Sequence, residues 1–256
     1  MKNENLVSVA HIPVLCALMC SYMEYSIKES STEDLPVSTS DLFFEVLNIF
    51  ELKHNKRKSS HFDENILDKL SEFAAGLLLE KKFLFSDGDM KNLTSQEVES
   101  LRASGLLHCG PPLRVSFSQA TKHYCFTHLT LHEYLAARWF VKRRELPLTE
   151  NVSEMVLQFM AGILSKKKDR ELLKKLLRGL PTYQIRNDPL LLEAKCLYEY
   201  QDEQFAKDYY RQYPFRHKRI FFSHISDVDC IAVSFWLNIL SALKYPSCKV
   251  TTLALI

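Results

Sequence analysis

The sequence predicts a mainly α fold: helical bundle segments with an embedded winged-helix domain and a short C-terminal α/β stretch. Three observations predict it. Apolar residues recur at three- and four-residue spacing through most of the chain, as one face of a helix requires. Thr94-x-x-Glu97 and Thr130-x-x-Glu133 read as capping boxes, in which hydroxyl and carboxylate satisfy reciprocal backbone donors. From Phe62 onward, helical patterns give way to a hairpin pattern within about sixty residues, the helix, helix, helix, hairpin order of a winged helix.

The elements follow in order. Residues 5–23 carry no charge, and their apolar part is near the lower limit for a membrane span. His11, Pro13 and the serines dilute it, and Glu4 spoils the basic flank of a secretory signal, so a buried amphipathic helix is expected. After Leu35-Pro36, the spacing of Leu42, Phe43, Val46, Leu47 and Phe50, with Asp41 in the first turn, predicts a second helix. Residues 53–60, KHNKRKSS, read as a solvated linker. Ile66, Leu67, Leu70, Phe73, Ala74, Leu77 and Leu78 share the face of a helix ending near Lys82, and Phe83 to Phe85 form a short strand. Thr94 opens a helix that stops at Gly105, the usual left-handed C-terminal residue. Leu106-Leu107 and the alternating Leu113, Val115, Phe117 read as two strands around a Gly-Pro-Pro turn. The box at Thr130 opens a helix through Leu131, Tyr134, Leu135, Trp139 and Phe140. Further helices are capped by Asn151, run through residues 171–178, and begin at Pro189, which suits a first helical position. From Ile220 onward, strand-like runs flank a helix at Phe235 to Leu243.

Composition limits what the chain does. Its 256 residues, 46% hydrophobic and 25% charged, have ample apolar side chain for a packed core. A net charge of +2 argues against a strongly basic nucleic-acid binder. Of six glycines, only Gly105 and Gly110 have the first spacing of a phosphate loop, and Pro111 and Pro112 follow them in place of its lysine and hydroxyl. Seven cysteines without a C-x-x-C pair read as reduced, mostly buried thiols of a cytoplasmic protein.

His123, Cys125, His128 and His132 cluster within ten residues. Zinc needs four tetrahedral ligands, and a helix capped at Thr130 does not put His128 and His132 on one face, so no metal site is expected. Nothing in the sequence sets a base beside a particular thiol, and no catalytic residue is assigned. His128 stands at the mouth of a helix N-terminus, where free N–H groups and the helix dipole favour anions such as phosphate. The basic helix within residues 166–178 has Leu172, Leu173, Leu176 and Leu177 on one side, which suits packing in a helical domain better than a lipid surface.

Residues 126–137, FTHLTLHEYLAA, resemble the F-x-H-x-[ST]-[FL]-Q-E-[FY]-[FL]-A-A signature of animal NLR proteins, the NACHT-containing branch of the STAND regulatory NTPases. Only the glutamine differs, being His132 here. Neighbouring segments agree in order. IPVLC at 12–16, followed by Leu35-Pro36, looks like the first helical domain behind a NACHT core. FAAGLLLEKK at 73–82 looks like the opening of its winged helix, and CLYEYQD at 196–202 is similar to the C-L-x-E-x-Q segment ending the second helical domain. ISDVDC at 225–230, with Ala232, looks like the lead-in to leucine-rich repeats.

The resemblance implies four parts: a first helical domain at 1–58, a winged helix at 59–145, a second helical domain at 146–218 and the beginning of leucine-rich repeats at 219–256. It implies an ADP/ATP switch in innate immune sensing, in which His128 touches the β-phosphate of ADP and Pro13 packs on the adenine. The usual glycine two residues before that proline is His11 here. The family's P-loop, magnesium-binding strand and sensor residues belong upstream, so the chain is expected to be the C-terminal half of the module and not itself an enzyme. The partners implied are an upstream NACHT core, downstream repeats and oligomerising relatives, with neither nucleic acid nor membrane. ADP or ATP is expected only in the full-length context and no cofactor for this chain alone. Two other readings stay open: a winged-helix DNA-binding protein and a nucleotide-free helical adaptor or decoy. For the former, Arg102, Arg114 and Lys122 against Glu97 and Glu99 leave one net positive charge, thin for tracking phosphates.

Overall fold

The computed structural model describes residues 13–28, 36–56, 64–111, 113–116, 119–147, 152–180, 189–214, 219–223, 226–243 and 249–253. Ten helices and seven strands stand among them, so the chain is mainly α with small sheets. Two compact units share it: Met1–Cys16, Leu35–Asp41 and Leu157–Ile256 form the first, and Ala17–Asp34 with Leu42–Val156 the second. Helices α1 (Pro13–Lys28), α2 (Thr39–Lys56) and α6 (Glu154–Lys167) have residues in both. Helix α2 carries the expected linker as far as Lys56, so only residues beyond it lie outside the description. Leu42, Phe43, Val46 and Leu47 are buried as their spacing requires.

The second unit is built on α3 (Glu64–Leu79) packed against α5 (Leu129–Arg143). The apolar stripe of α3, from Ile66 to Leu78, is buried apart from the half-buried Phe73. Its end is turned by Lys81 at φ 55, where the Lys82 N–H reaches back to the Leu77 carbonyl at 2.8 Å. Helix α4 (Ser95–Ala103) starts with the predicted box: Glu97 N–H donates to Thr94 Oγ1 at 3.2 Å and Thr94 N–H to Glu97 Oε2 at 2.6 Å. It ends at Gly105, φ +80, with Gly105 N–H on the Arg102 carbonyl and Leu106 N–H on that of Leu101, the paired bonds that close a left-handed helix end.

The strands depart from the sequence reading. The run at residues 83–85 forms only a two-residue strand, β1 (Phe85–Ser86), and Phe83 and Leu84 are exposed. Strands β2 (Leu107–Cys109) and β3 (Leu113–Ser116) do not form a hairpin with one another. Instead β3 pairs antiparallel with β4 (Gln119–Thr121), while β2 and β1 flank β5 (His123–Phe126) in a three-stranded antiparallel sheet. Phe85 anchors the core beneath, edge-on to Phe73 at 5.0 Å and stacked on Tyr124 at 6.2 Å.

In the first unit, α7 (Arg170–Gly179) is capped by Asp169 and buries the four leucines the sequence placed on one side. Helix α8 (Pro189–Tyr200) begins at the predicted proline. The predicted Asn151 cap lies outside the described residues, and α6 starts after Ser153, whose hydroxyl accepts the Val156 N–H. Helix α9 (Glu203–Gln212) and the early start of α10 (Asp227–Ala242), boxed by Ser226 and Asp229, were not foreseen. Strands β6 (Arg219–Ser223) and β7 (Lys249–Leu253) pair in parallel, and α10 lies between them in sequence.

A buried polar chain joins three helices here: Trp236 Nε1–H donates to Tyr210, whose hydroxyl donates to Glu193 Oε1 at 2.6 Å. Burial pushes the Glu193 carboxyl above its ordinary range, against the pull of Tyr210. Glu199, also buried and pushed up for the same reason, accepts the Ser40 N–H at the start of α2 at 3.1 Å. Gly162 makes that approach possible, because a Cβ there would lie 2.2 Å from the Ser40 Cβ.

Six described cysteines are unbridged, and only Cys196 is buried. The expectation of mostly buried thiols is corrected: Cys20 and Cys230 are exposed, and Cys16, Cys109 and Cys125 are half-buried. Among the described residues, no helix is long and apolar enough to cross a membrane.

Candidate functional site

The site grows from the junction of β5 and α5. Thr127 holds the junction in place, its N–H donating to the Leu106 carbonyl at 3.2 Å and its hydroxyl to that of Gly105. The chain then turns into α5 through an extended residue, His128, at φ −148 and ψ 148.

This corrects the predicted box. Helix α5 begins at Leu129, and its N-cap is His128 rather than Thr130. The imidazole Nδ1 accepts the Thr130 N–H at 3.2 Å and lies 2.6 Å from Thr130 Oγ1. Glu133 does not reach back to close a box: its carboxylate accepts the Ser153 hydroxyl at 2.6 Å. Burial raises the Glu133 carboxyl above its ordinary range, and the Ser153 bond offsets part of that.

The cap has a chemical consequence. A neutral imidazole is a donor at one nitrogen and an acceptor at the other. With Nδ1 accepting a backbone N–H, the ring proton sits on Nε2, the tautomer being fixed by the bond the other nitrogen makes. No described residue takes that Nε2–H. The half-buried His128 thus holds a donor at a helix N-terminus whose first N–H groups favour negative charge.

His132, one turn on, does different work. It is 1% exposed, and its Nε2–H donates to the Ala74 carbonyl of α3 at 2.8 Å. Its ring stacks on Phe126 at 4.6 Å and meets Phe83 edge-on at 6.1 Å. Burial holds its pKa below the ordinary 6.5, although the Ala74 bond pulls the other way. The residue that departs from the family signature is therefore a structural tie between α5 and α3. Phe83, Cys125, Phe126, Leu129 and His132 enclose an open apolar cavity of about 200 Å³ beside it.

The His/Cys cluster does not converge. Among the described residues, no three His, Cys, Asp or Glu side chains stand close enough to hold a metal ion. Pro13 opens α1 as its first residue and falls in the first unit, whereas His128 is in the second; the Pro13 side chain lies outside the described residues. On the face proposed for DNA, Arg102 is tied to Glu99 at 2.7 Å, and the Arg114 side chain lies outside the described residues. Sequence reasoning missed the capping role of His128, since histidine is not among the usual cap types.

No protein-family profile matches the chain. Over 97% of its length it is 23% identical to the NACHT, LRR and PYD domains-containing protein 1 homolog of Danio rerio. Over 55% of its length it is 27% identical to the NACHT, LRR and PYD domains-containing protein 5 of Mus musculus. The chain spans 21% of the first relative's length and 12% of the second's. With the residue 126–137 motif inside this similarity, the chain is an NLR-like protein.

Proposed function

We propose that the chain is a regulatory segment of a cytoplasmic, NLR-like innate immune sensor, relaying nucleotide state from an upstream NACHT core to downstream leucine-rich repeats. In this reading, residues 59–145 are a winged helix that closes onto ADP bound by the core, and His128 Nε2–H donates to its β-phosphate. The observation that carries the reading is the Nδ1 cap of α5, which commits the opposite nitrogen to donation. Pro13 takes the adenine-facing role only by its match to the family pattern.

Magnitudes give the segment its place. A hydrogen bond to a charged phosphate contributes about 1.5–3 kcal/mol. Nanomolar binding needs about 12 kcal/mol. The remainder has to come from phosphate-loop amides, a lysine and magnesium, and the sequence of this chain has no such loop. Calorimetry of this chain alone with ADP is expected to show no affinity tighter than about 10 µM, which corresponds to about 7 kcal/mol. Tighter binding overturns the division of labour, because the chain would then hold a nucleotide site of its own.

A further inference from the structure

Helix α2 is held at its start by one carboxyl. Glu199 of α8, the glutamate of the CLYEYQD segment, is 7% exposed, and its Oε2 accepts the Ser40 N–H of α2 at 3.1 Å. Gly162 of α6 opens the notch in which they meet: a Cβ there would stand 2.2 Å from Ser40 Oγ and 3.2 Å from Glu199 Oε2. From this first turn, α2 runs on into the second unit. The nucleotide contact proposed at His128 makes no use of this carboxyl.

No cation answers its charge. Among the described residues Glu199 is in no ion pair. Lys166 of α6 is bound to Asp41 of α2 at 2.8 Å, and Asp41 is a second negative group that opposes the charge of Glu199. Tyr198, its neighbour on α8, stays neutral, its own pKa raised by burial and by Glu199, and its hydroxyl donates to the Val37 carbonyl at 3.4 Å. An unpaired carboxylate in a dry site is costly, and such a group takes up a proton instead. Ser40 Oγ, buried in the same notch without a hydrogen-bond partner, supplies an acceptor for that proton.

We propose that Glu199 is a proton-controlled latch: neutral, it holds the first turn of α2 against α6 and α8, and ionised, it releases that turn. The sign follows from burial, which raises the folded pKa above the ordinary 4.5, with the Ser40 N–H offsetting part of that. The contribution of the latch is therefore full below 4.5 and is lost as pH rises through the raised value. His132 has the opposite sign, so a global melting curve mixes the two and the test is local.

Carboxyl-detected NMR on the full chain follows the Glu199 side chain. Amide exchange, corrected for its intrinsic pH dependence, follows the Ser40 N–H over the same range. Glu199 is expected to titrate above 4.5, with Ser40 exchange about fivefold faster once it is ionised. Glu199→Gln, which offers an acceptor and a donor but has no proton to lose, keeps exchange slow throughout, whereas Glu199→Ala speeds it at every pH. A midpoint at or below 4.5 overturns the latch. So does Ser40 exchange that ignores the titration, that steps equally in Glu199→Gln, or that stays slow in Glu199→Ala. If neither variant folds, the parent chain decides alone: coincident midpoints for the carboxyl and for Ser40 protection support the latch, and separate ones refute it.

Discussion

At the residue scale, the two histidines of the motif separate into a cap with an outward donor and an inward tie. Aspartate caps helices at least as well as histidine, and its charge suits the helix N-terminus. His128→Asp is therefore expected to keep or raise the melting temperature in thermal denaturation followed by circular dichroism, whereas His128→Ala loses about 1 kcal/mol. The sign for His132 is set by its lowered pKa. Below its ordinary 6.5, the unfolded imidazole takes up a proton that the buried one resists, so stability is full above that pH and declines as pH falls through it. Glutamine keeps an N–H donor for the Ala74 carbonyl and does not titrate. Melting temperatures from about pH 7.5 to about pH 5.5 are expected to fall less steeply for His132→Gln than for the parent chain. An identical slope would show that the Ala74 contact is not what the proton disturbs.

At the element scale, helices meet where a small residue or a cap allows it. Gly162 of α6 is the sharpest case: Gly162→Ala drives a methyl to within 2.2 Å of Ser40 Cβ and Oγ. Urea denaturation is expected to show a loss of about 1–3 kcal/mol, the usual cost of overpacking. Ser40→Gly in the same chain should return part of it, and a double-mutant cycle measures the coupling. What the sequence made legible was local. The Thr94 box, the left-handed Gly105, the leucine face of α7 and Pro189 at the start of α8 each need only a few neighbouring residues to be read. The misses at β5 and Glu133 needed partners farther along the chain, whereas β4 pairs with its neighbour β3 and the His128 cap is local. β4 and β5 are three and four residues long and become strands only through pairing, β5 between β1 and β2. Thr130 and Glu133 have the spacing of a box, yet Glu133 is drawn to Ser153 and His128 takes the cap. His128 itself was singled out by the motif, but the division of labour between its nitrogens required the structure.

At the scale of the whole molecule, the matched regions cover only 21% and 12% of the two relatives, each several times longer than this chain. The helices, the three-stranded sheet and the His128 cap hold one donor in a fixed position, and the proposed nucleotide contact depends on a phosphate brought to it by another part. The most direct measurement is the ADP affinity of the longest chain encoded by the transcript, compared with the same chain carrying His128→Asp. The account predicts binding that weakens by about tenfold or more in the variant, since a donor worth about 1.5–3 kcal/mol is replaced by a charge that repels phosphate. Equal affinity in two equally folded proteins, or no ADP binding by the longest chain, would contradict it.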